Sequence, residues 1–183
     1  MTSSLLALPP HASFETVLEA TQQFLHALEA QSLGDADIQA GVVHLLSLPA
    51  GPRGFFATLL TSDGPVAEAP PAALLAALGS HPETVADLLV KNLAMSTAMR
   101  VQHQRQGKTD LVQGSAQVQR RSQTLLLALK TVEIQQHLQD MLQPSQAYAA
   151  FLDRWGYDVP QKQAIATAVA QVLQTLNAQD DLP

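Results

Sequence analysis

Residues 80–106, SHPETVADLLVKNLAMSTAMRVQHQRQ, decide the fold class. Val85, Leu88, Leu89, Asn92, Leu93, Ser96 and Met99 recur at three- and four-residue spacing, which gathers side chains on one face of an α-helix and not of a strand. Ser80-His81-Pro82-Glu83 reads as a capping box with proline in the first turn, and Gly107 ends the run. Asp110-Leu111-Val112-Gln113 reads as a second capping box, for a helix over 110–130 carrying Leu111, Val118, Leu125 and Leu129. With so short a break between them, the two long helices should pair antiparallel.

Helix signals continue outward from this pair. Ser13 caps a helix from Phe14 to near Gly34 in which Val17, Leu18, Thr21, Phe24, Leu25 and Leu28 face inward. A brief helix follows over 72–78, and three more over about 132–142, 145–155 and 159–178. Gly156 suits a helix end, and Asp158-Val159-Pro160-Gln161 a helix start. Residues 38–62 leave two readings. Val42 to Leu48 is apolar enough for a strand, with Pro49-Ala50-Gly51-Pro52 as the turn of a hairpin that continues through Phe55 to Leu60. Otherwise Pro52 opens a short helix, the preferred reading. The expected fold is all-α, an irregular bundle of about seven to nine helices around the central antiparallel pair. At 183 residues, not far above a domain of about 150, one helical domain over 13–178 is expected, with a flexible tail over 1–12 and a flexible end over 179–183.

Composition narrows the function classes. Hydrophobic residues make up 46% and charged residues 14%, too apolar and too weakly charged for a disordered chain. Without cysteine there is no thiolate catalysis, disulfide, Fe–S cluster or cysteine zinc site. No apolar run approaches a membrane span, and Leu5-Leu6-Ala7-Leu8 stops at Pro9-Pro10 with no base before it, unlike a signal peptide. A cytoplasmic protein is expected. The sequence holds neither a dinucleotide-binding nor a P-loop glycine pattern, since Gly51-Pro52-Arg53-Gly54 lacks the flanking strand and the lysine. It also lacks the G-x-S-x-G elbow and the paired E-x-x-H of di-iron bundles. No cofactor and no catalytic residue is predicted, and the enzyme reading takes second place. Glu133, His137 and Asp140 share a helix face at metal-like spacing, but read better as an exposed helix with a Glu–His pair.

Charge is the least uniform feature. Residues 1–90 carry nine acids against Arg53, residues 91–130 seven bases against Asp110, and residues 131–183 six acids against two bases. An acidic chain argues against a dedicated nucleic-acid binder, while the central block can still form a local basic face. Arg100, Arg105 and Lys108 would cluster near the turn of the helix pair, with Arg120 and Arg121 further along the second helix. Such a face suits a carboxylate-rich protein surface, an anionic lipid surface or a phosphate, with arginine supplying bidentate bonds, against the plain reading of a solvated basic face. Phe55 and Phe56 are read as core, with one of them exposed as an anchor in the alternative. Trp155 and Tyr157 flank Gly156 and are read as pins of that corner, so that Trp155→Ala should cost about 3–5 kcal/mol.

Arg53-Gly54-Phe55-Phe56, Leu89-Val90-Lys91-Asn92-Leu93-Ala94-Met95-Ser96 and Phe151-Leu152-Asp153-Arg154-Trp155-Gly156-Tyr157 resemble an uncharacterised family of small soluble cyanobacterial proteins. The resemblance covers most of the chain and implies no activity or site. It does imply a cytoplasmic setting, including the cytoplasmic face of thylakoids, where acidic helical proteins serve as assembly or regulatory partners. The leading expectation is a non-enzymatic interaction or assembly factor that binds an acidic partner through Arg100, Arg105, Lys108, Arg120 and Arg121, with Phe55 or Phe56. The rival is a small-molecule binder or enzyme in which Arg100 or Arg121 fixes an anionic ligand. A third reading is weak nucleic-acid or peripheral anionic-membrane association through the same face.

Overall fold

The computed structural model describes residues 8–180, with the side chain of Asp180 left aside. Its described residues form nine helices and no strand. Two compact units are distinguished, one ending at Leu88 and the other beginning at Leu89. The expected tail over 1–7 and end over 181–183 lie outside the described residues. Residues 8–12 make a turn in which the Ala12 N–H donates to the Pro9 carbonyl, and Gln179 and Asp180 are helical.

The first unit holds α1 (Phe14–Glu29), α2 (Asp35–Ser47), α3 (Gly51–Thr61) and α4 (Ala72–Leu78). Ser13 caps α1 as expected, its hydroxyl accepting the Thr16 N–H at 3.2 Å. Residues 38–47 and 51–61 are helical, with a turn over 48–50, which settles the hairpin alternative. Val42, Leu45 and Leu46 are buried from one side of α2, and Pro52 sits in the first turn of α3. Proline there loses no helical hydrogen bond, because the first-turn N–H has no partner inside the helix. Helix α1 packs on α3 and α2, and α2 on α4 and α3. Glycine sets two of these approaches. A Cβ on Gly54 of α3 would lie 2.5 Å from Val17 Cγ1 of α1, and one on Gly41 of α2 would lie 2.8 Å from the Phe24 ring.

Helix α5 (Pro82–Arg105) crosses the boundary between the units without a break. It begins one residue later than the capping-box expectation, with His81 in place of Ser80 at the cap. The Ser80 hydroxyl turns back to the Ala77 carbonyl at 2.6 Å, and the helix starts at Pro82 with the Val85 N–H donating to the His81 carbonyl.

The second unit continues with α6 (Thr109–Leu129), α7 (Val132–Leu142), α8 (Gln146–Arg154) and α9 (Val159–Asp180). Asp110 stands in the first turn of α6, where its charge favours the helix N-terminus, and it does not cap it. His103 Nδ1 lies 3.1 Å from both the Leu111 carbonyl and Ser115 Oγ, tying the end of α5 to the start of α6 as the chain doubles back. Helix α9 packs on α7 and α6. It starts where the sequence places it, and does so through a reciprocal capping box: the Gln161 N–H donates to Asp158 Oδ1, and the Asp158 N–H to Gln161 Oε1, each at 3.0 Å.

Candidate interaction surface

Two tight turns in the second unit, α5–α6 and α8–α9, are each built on a glycine in the left-handed region, Gly107 (φ 67°) and Gly156 (φ 62°). No side chain crowds either position, and glycine takes that conformation at no steric cost. Both helices can therefore end sharply, and both turns are brought together by two long-range links. Arg105, at the end of α5, forms an ion pair with Asp158. Buried Gln161 donates through Nε2 to the Ala98 carbonyl of α5 at 3.1 Å. Ala98 and Arg105 are seven residues apart and so share one face of α5. Asp158 thus serves Arg105 and the first turn of α9 at once, and these contacts, Arg105 before Gln161, hold its carboxyl below the usual range.

The surface beside this junction mixes apolar groups with charges of both signs, since Asp110, Asp153 and Asp158 are exposed among its bases. Trp155 is 52% exposed and Val159 70% exposed, with Arg154 and Lys108 also exposed, and Arg120 is exposed further along α6. Lys162 pairs with Asp153 at 3.5 Å.

Several expected site residues move. Arg121 is 3% exposed and belongs to the interior of the second unit. Arg100 is half-buried, with its Nε enclosed and without a hydrogen-bond partner. Arg105 is exposed but its charge is engaged by Asp158. Of the five expected bases, Lys108 and Arg120 remain as exposed cations. Phe55 and Phe56 are fully buried, packed edge to face with ring centroids 5.4 Å apart. The exposed-anchor alternative for them is therefore corrected: the first unit covers α3 on both sides, so adjacent side chains can both be inside.

The Trp155 expectation is also corrected. Helix α8 buries Tyr148 and Leu152, a spacing that points to position 155 as the next inward site. The helix stops at Arg154, however, and the left-handed turn at Gly156 delivers Tyr157 to the interior instead. Tyr157 is buried, its hydroxyl has no partner, and burial pushes that hydroxyl up to about 12. An exposed tryptophan beside a buried tyrosine was thus not legible from spacing alone.

The metal-like trio is otherwise occupied. His137 Nδ1 lies 2.7 Å from the Tyr148 hydroxyl, Asp140 accepts from Gln136 at 3.0 Å, and the Glu133 carboxyl is held low by its backbone N–H and the Thr131 hydroxyl. Among the described residues no group of three histidine and acidic side chains could hold a metal ion. Lys91 lies over the rings of Tyr148 and Phe151, 5.7 and 5.9 Å from their centroids. Two clefts of the second unit, one at residues 107–111 and one formed by α7 and Leu173 of α9, are lined by neither Arg100 nor Arg121. No helix among the described residues is long and apolar enough to cross a membrane.

Residues 13–172 match the model of a family described as uncharacterised conserved protein UCP020893, and the chain belongs to that family. No curated protein and no solved structure matches it.

Proposed function

We propose that the chain is a non-enzymatic interaction protein that docks an acidic segment of a partner protein at the junction of the α5–α6 and α8–α9 turns. The observation that supports this is the Arg105–Asp158 pair, which joins the turn carrying Lys108 to the turn carrying Trp155. Trp155 is the chain's single tryptophan and stands half in solvent. Tryptophan and basic side chains in one patch are the composition of binding hot spots. Arg154 adjoins Trp155 in the chain and Lys108 stands in the turn linked to it, while exposed Arg120 adds positive charge about 18 Å further along α6 at 1.5 Å per residue. The fitting occupant is a segment with carboxylates around one apolar side chain, the carboxylates for the cations and the apolar group for Trp155 and Val159. A cytoplasmic setting, including the cytoplasmic face of a thylakoid, belongs to the same proposal and rests on the sequence resemblance.

Affinity recovery under a salt gradient tests it. The wild-type chain should retain a stoichiometric acidic protein released at moderate salt, because exposed charge pairs are screened. Lys108→Glu with Arg120→Glu, and separately Trp155→Ala, should abolish that recovery with an unchanged melting temperature. Adding the recovered partner should also shift the fluorescence of Trp155. Unaltered recovery by both variants overturns the proposal, and recovery of RNA or anionic lipid in place of protein does the same.

A further inference from the structure

The first unit contains a cleft of about 560 Å³ running along α1 and α3, within the usual size of small-molecule sites. Its two ends differ in chemistry. At one end Phe14 and Leu18 of α1 are apolar, and at the other His26 and Glu29 of α1 meet Asp63 beyond α3. Leu18 and Glu29 are about 16 Å apart along the helix axis at 1.5 Å per residue.

The hydroxyls in the lining add acceptors along the α3 wall. Thr58 Oγ1 donates to the Gly54 carbonyl at 3.0 Å, and Thr61 Oγ1 to the Ala57 carbonyl at 2.7 Å. A hydroxyl has one proton and two lone pairs, so each of these oxygens, its proton committed, offers the cleft acceptor capacity only. The Glu29 carboxylate lies against the Gly64 backbone, in the space a Cβ there would take, 1.6 Å from Oε1. Among the described lining residues there is no lysine or arginine. The single lysine or arginine of this unit, Arg53, lies over the Phe14 ring, 5.8 Å from its centroid, at the apolar end. Nine acids in the same unit add a negative field, which a cleft with low-dielectric walls concentrates.

We propose that this cleft binds an aliphatic primary ammonium ligand, its three N–H donors directed to Glu29, Asp63 and the threonine oxygens and its alkyl chain along Leu18 and Leu25. An ammonium group carries donors and no acceptor, which complements the carboxylates and committed hydroxyls of a lining whose other polar side chains are Gln22 and His26. The site is separate from the proposed docking surface, and neither depends on the other.

Titration of the full chain with hexylammonium, followed by backbone amide NMR, tests the assignment. Saturable shifts confined to residues near Glu29 and 58–64 are expected. The neutral isostere 1-hexanol should bind at least tenfold more weakly, and hexanoate should leave those amides unmoved. Glu29→Gln with Asp63→Asn, nearly isosteric and checked by an unchanged circular dichroism spectrum, should weaken hexylammonium at least tenfold. The proposal is overturned if hexanol binds as tightly as the ammonium, if the double variant binds as tightly as the wild type, or if no saturable shift occurs. The hexanol comparison needs no variant and decides the matter even where the double substitution unfolds the chain.

Discussion

Arg105 and Asp158, 53 residues apart in the sequence, form an ion pair that joins the last turn of α5 to the first of α9. The same carboxylate accepts the Gln161 N–H. It is thus a helix cap whose position is fixed from outside its own helix.

The pair makes stability depend on pH in a defined direction. The Asp158 carboxyl lies below its ordinary value of 3.8, chiefly through the Arg105 hydrogen bond and then through the Gln161 N–H. A group whose folded pKa is depressed contributes stability above its unfolded pKa and loses it as pH falls through the folded value. The wild type should therefore melt higher than Asp158→Asn at neutral pH, and the difference should shrink as pH falls below the ordinary value of 3.8 and through the lower folded one. Melting temperatures of both chains across this range check it, and parallel curves would refute it. Arg105→Gln should remove most of the same difference.

Gln161 makes the clasp a matter of packing as well as charge. It is buried, and its side-chain amide both accepts the Asp158 N–H and donates to Ala98 of α5. Gln161→Ala removes both bonds and strips the first turn of its reciprocal partner. A loss of about 1–3 kcal/mol is expected in denaturant unfolding, the cost of buried polar groups left without partners. A loss below about 0.5 kcal/mol, the scale of an ordinary surface change, would show that the clasp is incidental.

Two glycines should respond to alanine with opposite signs. At Gly54 a Cβ would press on Val17 Cγ1 at 2.5 Å and Val17 Cβ at 3.1 Å, so the helices must separate. Overpacking of this kind costs about 1–3 kcal/mol. Gly114 stands exposed in α6 with nothing within 4 Å of its would-be Cβ. There Gly114→Ala should stabilise by about 0.5–1 kcal/mol, because glycine is the poorer helix former. Urea denaturation of both variants gives the comparison, and equal signs would contradict it.

These contrasts show where the sequence is readable. Helix positions followed from local chemistry: Ser13, Pro52, Gly156 and the Asp158–Gln161 box all act within a few residues of themselves. The helical choice for residues 38–62 was harder, because Val42 to Leu48 is apolar enough for either structure and contacts with α1 and α4 complete its burial. The candidate surface was read only in part. Lys108 and Arg120 are exposed as expected, but charge alone cannot separate a solvated arginine from Arg121, which faces inward. Nor does any local signal announce that Arg105 will meet Asp158. Phe55 and Phe56 show the same limit, since adjacent side chains are both buried only where neighbours cover two sides of α3.

The sharpest test of the corrected corner compares its two aromatic residues. Trp155 is 52% exposed, so Trp155→Ala should cost under about 1 kcal/mol, against the 3–5 kcal/mol that a buried pin would lose. Tyr157 is 7% exposed and takes the interior position, so Tyr157→Ala should carry that larger loss of about 3–5 kcal/mol. Tyr157→Phe separates ring from hydroxyl. The hydroxyl is enclosed without a partner, and a desolvated polar group of this kind costs about 1–3 kcal/mol. Its removal should leave stability unchanged or raise it. Equilibrium unfolding of the three variants decides the assignment, and it is wrong if Trp155→Ala proves more damaging than Tyr157→Ala.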